Sequence, residues 1–240
     1  MTIYPLPPHA RAEGFSTGIL LLDFREPHAL GDTANAATYP FPTQFLTVEG
    51  ASVERITSGD PSMAEPLIAA AQELERRGAR SISSNCGLMV HYQDAVARAV
   101  NIPVFLSSLL QVPMACRSIG ADRTVGIIGS FIGRIGPDVL AIAGTPERAK
   151  TTVTSIETSP EFLNLSNQPL NTQAFTHRLV AAAEDMAKAH PDLGAVVIEC
   201  ATFTPYAEPV QHALGLPVYD FVSLIEFAHT ATHRRSYAGT

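Results

Sequence analysis

The chain carries two copies of one pattern. Shifted by 114 residues, positions 80–110 align on 194–224 without a gap. Seven pairs coincide: Cys86/Cys200, Tyr92/Tyr206, Val96/Val210, Ala99/Ala213, Pro103/Pro217, Val104/Val218 and Leu110/Leu224. Ile82/Val196, Asp94/Glu208, Ile102/Leu216 and Phe105/Tyr219 are nearly isosteric. Upstream, GILLLD answers GIIGSF and LIAAAQEL answers LVAAAEDM at slightly different offsets. Self-similarity at a fixed period marks a structural unit used twice, so the fold must be built from two like halves.

Each half alternates strand and helix. Short, nearly continuous apolar runs suit strands buried on both faces of a parallel sheet. They are GILLLD (18–23), SIS (81–83), IPVFL (102–106), TVGIIGS (124–130), AVVIE (195–199) and LPVYDF (216–221), with QFLTVEG (44–50) and TTVTSIE (151–157) less regular. Between them, residues 61–79 and 172–190 place apolar side chains at a spacing near 3.6, as amphipathic helices do. The expected architecture is α/β: two similar lobes, each a roughly four-stranded parallel sheet flanked by helices, related by a pseudo-two-fold.

In open α/β sheets, ligands bind at the carboxyl ends of the strands. Cys86 and Cys200 both stand at such an end, at the start of a helix, and a pseudo-two-fold would set them facing each other across an interlobe cleft. A cysteine there meets free N–H groups and the positive end of the helix dipole, which predicts a lowered pKa. Gly87 and Ala201 follow directly, small enough to let a ligand carboxylate approach the backbone N–H groups. A thiolate and a thiol on opposite faces of a carbon acid form a two-base system, in which one removes a proton and the other returns one. Free cysteine is commonly a packing residue; its retention at the same turn of both halves points to chemistry instead. Cys116, in MACRSIG, lacks a counterpart in the repeat and reads as helix packing.

The stretches SNCGLM and ECATFTPY, one per half, together with GILLLD, resemble the aspartate/glutamate racemase superfamily, which also includes hydantoin racemases, arylmalonate decarboxylases and maleate isomerases. The resemblance runs from about residue 16 onward. It implies cofactor-independent racemisation by Cys86 and Cys200, and lobes that exchange their last helices: 1–106 with 221–240 form the first lobe, 107–220 the second. It also implies a homodimer. Amino-acid racemases of this group carry threonine after each cysteine, where this chain has Gly87 and Ala201; Thr202 stands one place later. Phe203 and Pro205 occupy the neighbourhood where glutamate racemases place a histidine. Glutamate is accordingly a poor candidate substrate.

Further candidates line the strand ends. Asp23 ends the first strand, where it would orient an ammonium group or tune Cys86, or cap a turn. Asn85 is a ligand donor or a backbone cap, and Ser130 ends the matching strand of the second half. Leu88, with Met89 and Phe203, would form a pocket wall or pack the helix start. Glu199 beside Cys200 would raise the thiol pKa if it faced the cleft, and is expected to point away. The segment 24–43 is too long for a plain connection and suits a lid or active-site loop.

Charge and composition bound the rest. Sixteen Lys and Arg against 23 Asp and Glu give a net charge of −7, which speaks against nucleic acid or an anionic membrane as partner. The partner expected is a small molecule bearing a carboxylate or a cyclic amide. The N-terminal MTIYPLPPHARAEGF reads as an extended arm (1–15) rather than a signal peptide, and HRRSY near the end as a solvated tail. Three cysteines far apart suit a reduced, cytoplasmic setting. His229 and His233, four apart, lack a third ligand, so no metal is expected, and no cofactor.

The reading is therefore a racemase or epimerase acting on an amino acid or amino-acid derivative through a Cys/Cys mechanism. A hydantoin-type racemase or a maleate-type isomerase is the enzymatic alternative, and a two-lobed small-molecule sensor the non-enzymatic one. A decarboxylase needs one thiol only, and the presence of two argues against it.

Overall fold

A computed structural model describes residues 14–131, 133–156 and 169–235. Most of the N-terminal arm, the last residue of the TTVTSIE run and the end of the C-terminal tail lie outside these residues. Two four-stranded parallel sheets form the framework. The first has the order β2-β1-β3-β4, from Thr17–Leu21 (β1), Thr43–Thr47 (β2), Ser81–Ser84 (β3) and Val104–Phe105 (β4). The second repeats it as β6-β5-β7-β8, from Thr124–Gly129 (β5), Thr151–Ser155 (β6), Leu193–Ile198 (β7) and Val218–Tyr219 (β8). All six pairings are parallel. The eight apolar runs named from sequence thus all hold strands, with ends trimmed where the ladder stops.

The central strands β1, β3, β5 and β7 are buried almost throughout, as continuous apolar runs between two helix layers require. Among the described residues the helices are Val53–Thr57 (α1), Ala64–Arg76 (α2), Gln93–Ala99 (α3), Val112–Ile119 (α4), Pro137–Ile142 (α5), Thr172–Ala189 (α6), Ala207–Leu214 (α7) and Phe221–Thr232 (α8). In α2 the stripe Leu67, Ala70, Ala71 and Leu74 faces the first sheet; in α6 the stripe Phe175, Leu179, Ala182, Ala183 and Met186 faces the second. Both show the i, i+3, i+4 spacing of one helical face.

The repeat is visible atom by atom. A 3₁₀ turn at Gly87–Tyr92 precedes α3, and its equivalent at Ala201–Tyr206 precedes α7, exactly one repeat later. A glycine in each central strand lets its helix come close: a Cβ at Gly18 would sit 2.9 Å from Leu74 Cδ1, and one at Gly126 would overlap Met186 Sδ.

Two crossings join the lobes. After β4, the chain runs into α4, which lies against β5 and β7; after β8, α8 returns to β1, β3 and β4. Ile225 of α8 packs with Ile19 of β1. The crossings meet where Gln111 Nε2 donates to the Asp220 carbonyl at 2.7 Å and Ser223 Oγ donates to Gln111 Oε1 at 3.3 Å. Asp220 and Ser223 also close a capping box at the start of α8.

Gly126→Ala should destabilise the protein by about 1–3 kcal/mol, the usual cost of overpacking, because the added methyl group meets Met186. In a Met186→Ala background the same substitution should cost less than in the wild type, as urea denaturation of the two single variants and the double variant would show.

Candidate functional site

Cys86 and Cys200 are the N-cap residues of the two 3₁₀ turns, just beyond the C-terminal ends of β3 and β7, which pair with β1 and β5. The residue before each cysteine ties that point to the end of the central strand. Asn85 Oδ1 accepts from the Leu22 N–H at 2.9 Å, and Glu199 Oε2 accepts from the Ser130 N–H at 3.4 Å. The Asn85 Oδ1 thus serves as a backbone cap.

Glu199 does more than its counterpart, and the expectation that it points away is corrected. Its side chain crosses to the first lobe, where it accepts from the Leu88 N–H. A Cβ at residue 87 would collide with Glu199 Oε1 and lie 2.5 Å from its Cγ and 2.6 Å from its backbone oxygen. This is the physical reason that glycine, and not threonine, follows Cys86. The space that Gly87 leaves open, expected from sequence to admit a ligand carboxylate, is filled by a carboxylate of the protein.

The thiols are not acidified. Burial pushes Cys86 up to about 12, and the Glu199 charge adds to it; the Leu88 and Met89 N–H groups pull it down by less. Cys200 is raised as well, first by burial and then by Glu199 and Glu26, with one N–H group, that of Thr202, opposing. The lowered pKa predicted from helix-start geometry is thus reversed, because desolvation and like charge outweigh two or three amide donors. Cys86 adds to the shift at Cys200 as well, so the two sulfurs share one local field.

The second carboxylate is Glu26, which sequence reasoning missed. It belongs to the 24–43 loop, reaches the second lobe, and receives the Thr202 hydroxyl at 3.4 Å on each oxygen. Burial, reinforced by Asp32, raises its pKa to about 7, while His28 opposes. Burial likewise lifts Glu199 to about 7. The loop is docked as well as close: Thr204 Oγ1 donates to the Gly31 carbonyl at 2.5 Å, and Gly31, at φ +96°, brings its backbone against Pro205. The positive φ explains a glycine at that place. Within the loop, His28 Nδ1 lies 3.3 Å from Asp32 Oδ1.

The remaining sequence candidates divide. Thr202 sits beside Glu26, while Ser130, Leu88 and Gly87 surround Glu199; Ala201 is buried, its carbonyl taken by Thr204 Oγ1 at 2.8 Å. Asp23 is exposed and accepts from the Gly50 N–H at 3.0 Å, a turn cap. Phe203 is fully buried 5.5 Å from the Phe175 ring, and Met89 is fully buried in the core cluster that both lobes share. Cys116 sits in α4, half-buried. His229 and His233 stack on each other and His229 on Phe41; no metal-competent cluster of three occurs among the described residues. Nor is any described helix long and apolar enough to cross a membrane.

Solved structures share this fold. Arylmalonate decarboxylase superposes with a TM-score of 0.62 at 16% identity, covering 94% of both chains. A glutamate racemase isoform from Bacillus anthracis gives 0.58 at 15%, covering 90% of this chain and 80% of that one. Allantoin racemase from Pseudomonas fluorescens gives 0.51 at 14%, over 93% and 100%. The fold is that of the aspartate/glutamate racemase superfamily.

Sequence similarity leads to a different group of proteins. Dimethylsulfoniopropionate lyase 5 of Emiliania huxleyi is 29% identical over 226 residues, 90% of this chain but 45% of that protein. The dimethylsulfoniopropionate lyase of Durusdinium sp. clade D is 27% identical over 220 residues, 88% of this chain and 73% of that one. The chain therefore spans less than half the length of the first of these relatives. No family model matches it. Its neighbours in fold are racemases and a decarboxylase, and its relatives in sequence are lyases.

Two outcomes test the site. Gly87→Ala should lose activity, and Glu199→Ala should not restore it, since the Glu199 carbonyl remains 2.6 Å from the new methyl group. With Cys116→Ser and Cys200→Ala as background, Glu199→Gln should speed alkylation of Cys86 by iodoacetamide severalfold at pH 8, where Glu199 is ionised. Towards pH 5 the carboxyl is protonated and the rates should converge, as peptide mass spectrometry would follow.

Proposed function

We propose that the protein cleaves a C–H bond beside a substrate carboxylate using its cysteine pair, without a cofactor, and that it is a lyase for a β-sulfonio carboxylate of the dimethylsulfoniopropionate type. One observation carries this reading: a cysteine at the strand-end turn of each lobe, in a chain 29% and 27% identical to two dimethylsulfoniopropionate lyases. Cys86 is assigned as the base, because two backbone amides, those of Leu88 and Met89, face its sulfur, against one, that of Thr202, at Cys200.

The chemistry balances without a redox partner. The Cys86 thiolate takes the proton from Cα, the C–H electron pair becomes the Cα=Cβ bond, and the Cβ–S bond breaks. The sulfur leaves as a neutral dialkyl sulfide with that bond's electrons, and an acrylate-type product remains. A leaving group that departs uncharged needs no general acid. Cys200 sits next to the reacting carbon and excludes water from it.

A second reading, racemisation of an amino acid or hydantoin, is favoured by Cys200 itself. A second thiol at the pseudo-symmetric position is the group that a two-base inversion requires and an elimination does not.

Incubation in D₂O decides between them. With dimethylsulfoniopropionate, the lyase releases dimethyl sulfide to the headspace and acrylate to the NMR spectrum. Cys86→Ala should reduce this rate by at least about 100-fold, the low end for loss of a proton-transfer group. No release, together with α-deuteration and loss of optical rotation of an amino acid or 5-substituted hydantoin, would replace the lyase by the racemase.

A further inference from the structure

Among the described residues, the charges acting on Cys86, Cys200, Glu26 and Glu199 come from one another, from Asp32 and from His28; no Lys or Arg takes part. A site built for an anionic substrate would be expected to hold a fixed cation, such as the bidentate arginine that carboxylates favour. This site holds two thiols and two carboxylates instead. Of the two carboxylates, Glu199 is spoken for: the amides of Leu88 and Ser130 donate to it, and it is wedged against Gly87. Glu26 has only the long contacts from Thr202 on its two oxygens, with no backbone amide and no arginine or lysine. The one positive group acting on it, His28, is itself paired with Asp32, so this partly buried and weakly satisfied carboxylate favours a further cation.

The geometry holds it there. Glu26 does not hang on a free loop: Gly31, five residues on, is fastened to Thr204 and packed on Pro205 of the second lobe's 3₁₀ turn. Asp32 is buried, with Oδ1 accepting from the Ala34 N–H at 2.7 Å, and Tyr39 is pinned to the Thr33 carbonyl at 2.9 Å. The first lobe thereby lends the second lobe's cysteine turn a carboxylate in fixed position, next to Thr202 and within the field of both thiols.

We propose that Glu26 is the specificity residue of the site and that it selects substrates with a permanent cationic centre, a sulfonium or quaternary ammonium group, two carbons from the carboxylate. The inference rests on the lyase reading for the identity of the site, yet its test needs no turnover. A cation seated on Glu26 also offsets the negative charge that opposes thiolate formation, so substrate binding would itself help ionise the base. Neutral or anionic carbon acids leave that charge uncompensated.

Two inert compounds of the same shape isolate the charge: 3-(trimethylammonio)propionate and 4,4-dimethylpentanoate, which differ by nitrogen against carbon. Calorimetric titration of the full chain at pH 8 should show the cationic compound binding at least about tenfold more tightly, one charge contact's worth. Glu26→Gln should erase that preference while keeping the affinity for 4,4-dimethylpentanoate, and exposed Glu54→Gln should change neither. Equal affinities in the wild type, binding of neither compound, or a preference that survives Glu26→Gln would overturn the proposal. Should Glu26→Gln bind neither, Glu26→Asp decides: a retained preference supports it and a lost one overturns it. Preference without dimethyl sulfide release would sink the lyase reading alone; release without preference would sink the Glu26 assignment alone.

Discussion

Everything at the site depends on one missing side chain. Because residue 87 has no Cβ, the Glu199 carboxylate can cross from the second lobe to the first and take the amide of Leu88. That contact locks the two strand ends together and sets the charge under which both thiols work. It is not free. Holding Glu199 with a pKa of about 7 against an ordinary 4.5 costs roughly 3 kcal/mol of stability. The sign follows from the raised value: the stability is fully present below about pH 4.5 and is lost as the pH rises through about 7. A strained, charged interior of this kind is where function is usually kept.

The lobes make the site jointly. Each supplies one cysteine by the same strand-to-3₁₀ turn, each ties that turn to its central strand through the preceding residue, and each lends something across the gap. The second lobe lends Glu199 to the first; the first lends the 24–43 loop with Glu26 to the second. The crossings at Gln111, Asp220 and Ser223 hold the two frames in register. A rigid scaffold of two parallel sheets with reacting groups at their carboxyl ends is the general solution for α/β enzymes.

Much of this could be read from the chain. The 114-residue offset recovers the equivalence of the two 3₁₀ turns residue for residue, and the apolar runs recover eight strands. Period and burial are local properties, so sequence carries them directly. What escaped were properties of distance. Glu199 was expected to turn away because a like charge beside a thiol is costly, and nothing in ECATF tells that Gly87 of the other lobe makes room for it. Glu26 was invisible within a long loop, since only the docking of Gly31 on Pro205 brings it to Thr202. Asp23 looked better placed, at a strand end, yet it caps Gly50. The thiol shifts failed for the same reason: helix-start amides are legible in sequence, whereas burial and a carboxylate from the opposite lobe are not.

The central claim is that Cys86 and Cys200 address one point in space. Treatment of the native protein with 1,3-dibromoacetone, followed by peptide mass spectrometry, tests it most directly. The account predicts a single three-carbon bridge joining the Cys86 and Cys200 peptides, unaffected by Cys116→Ser and absent from either single alanine variant. Independent alkylation of the two cysteines without a bridge, or a bridge involving Cys116, would contradict it.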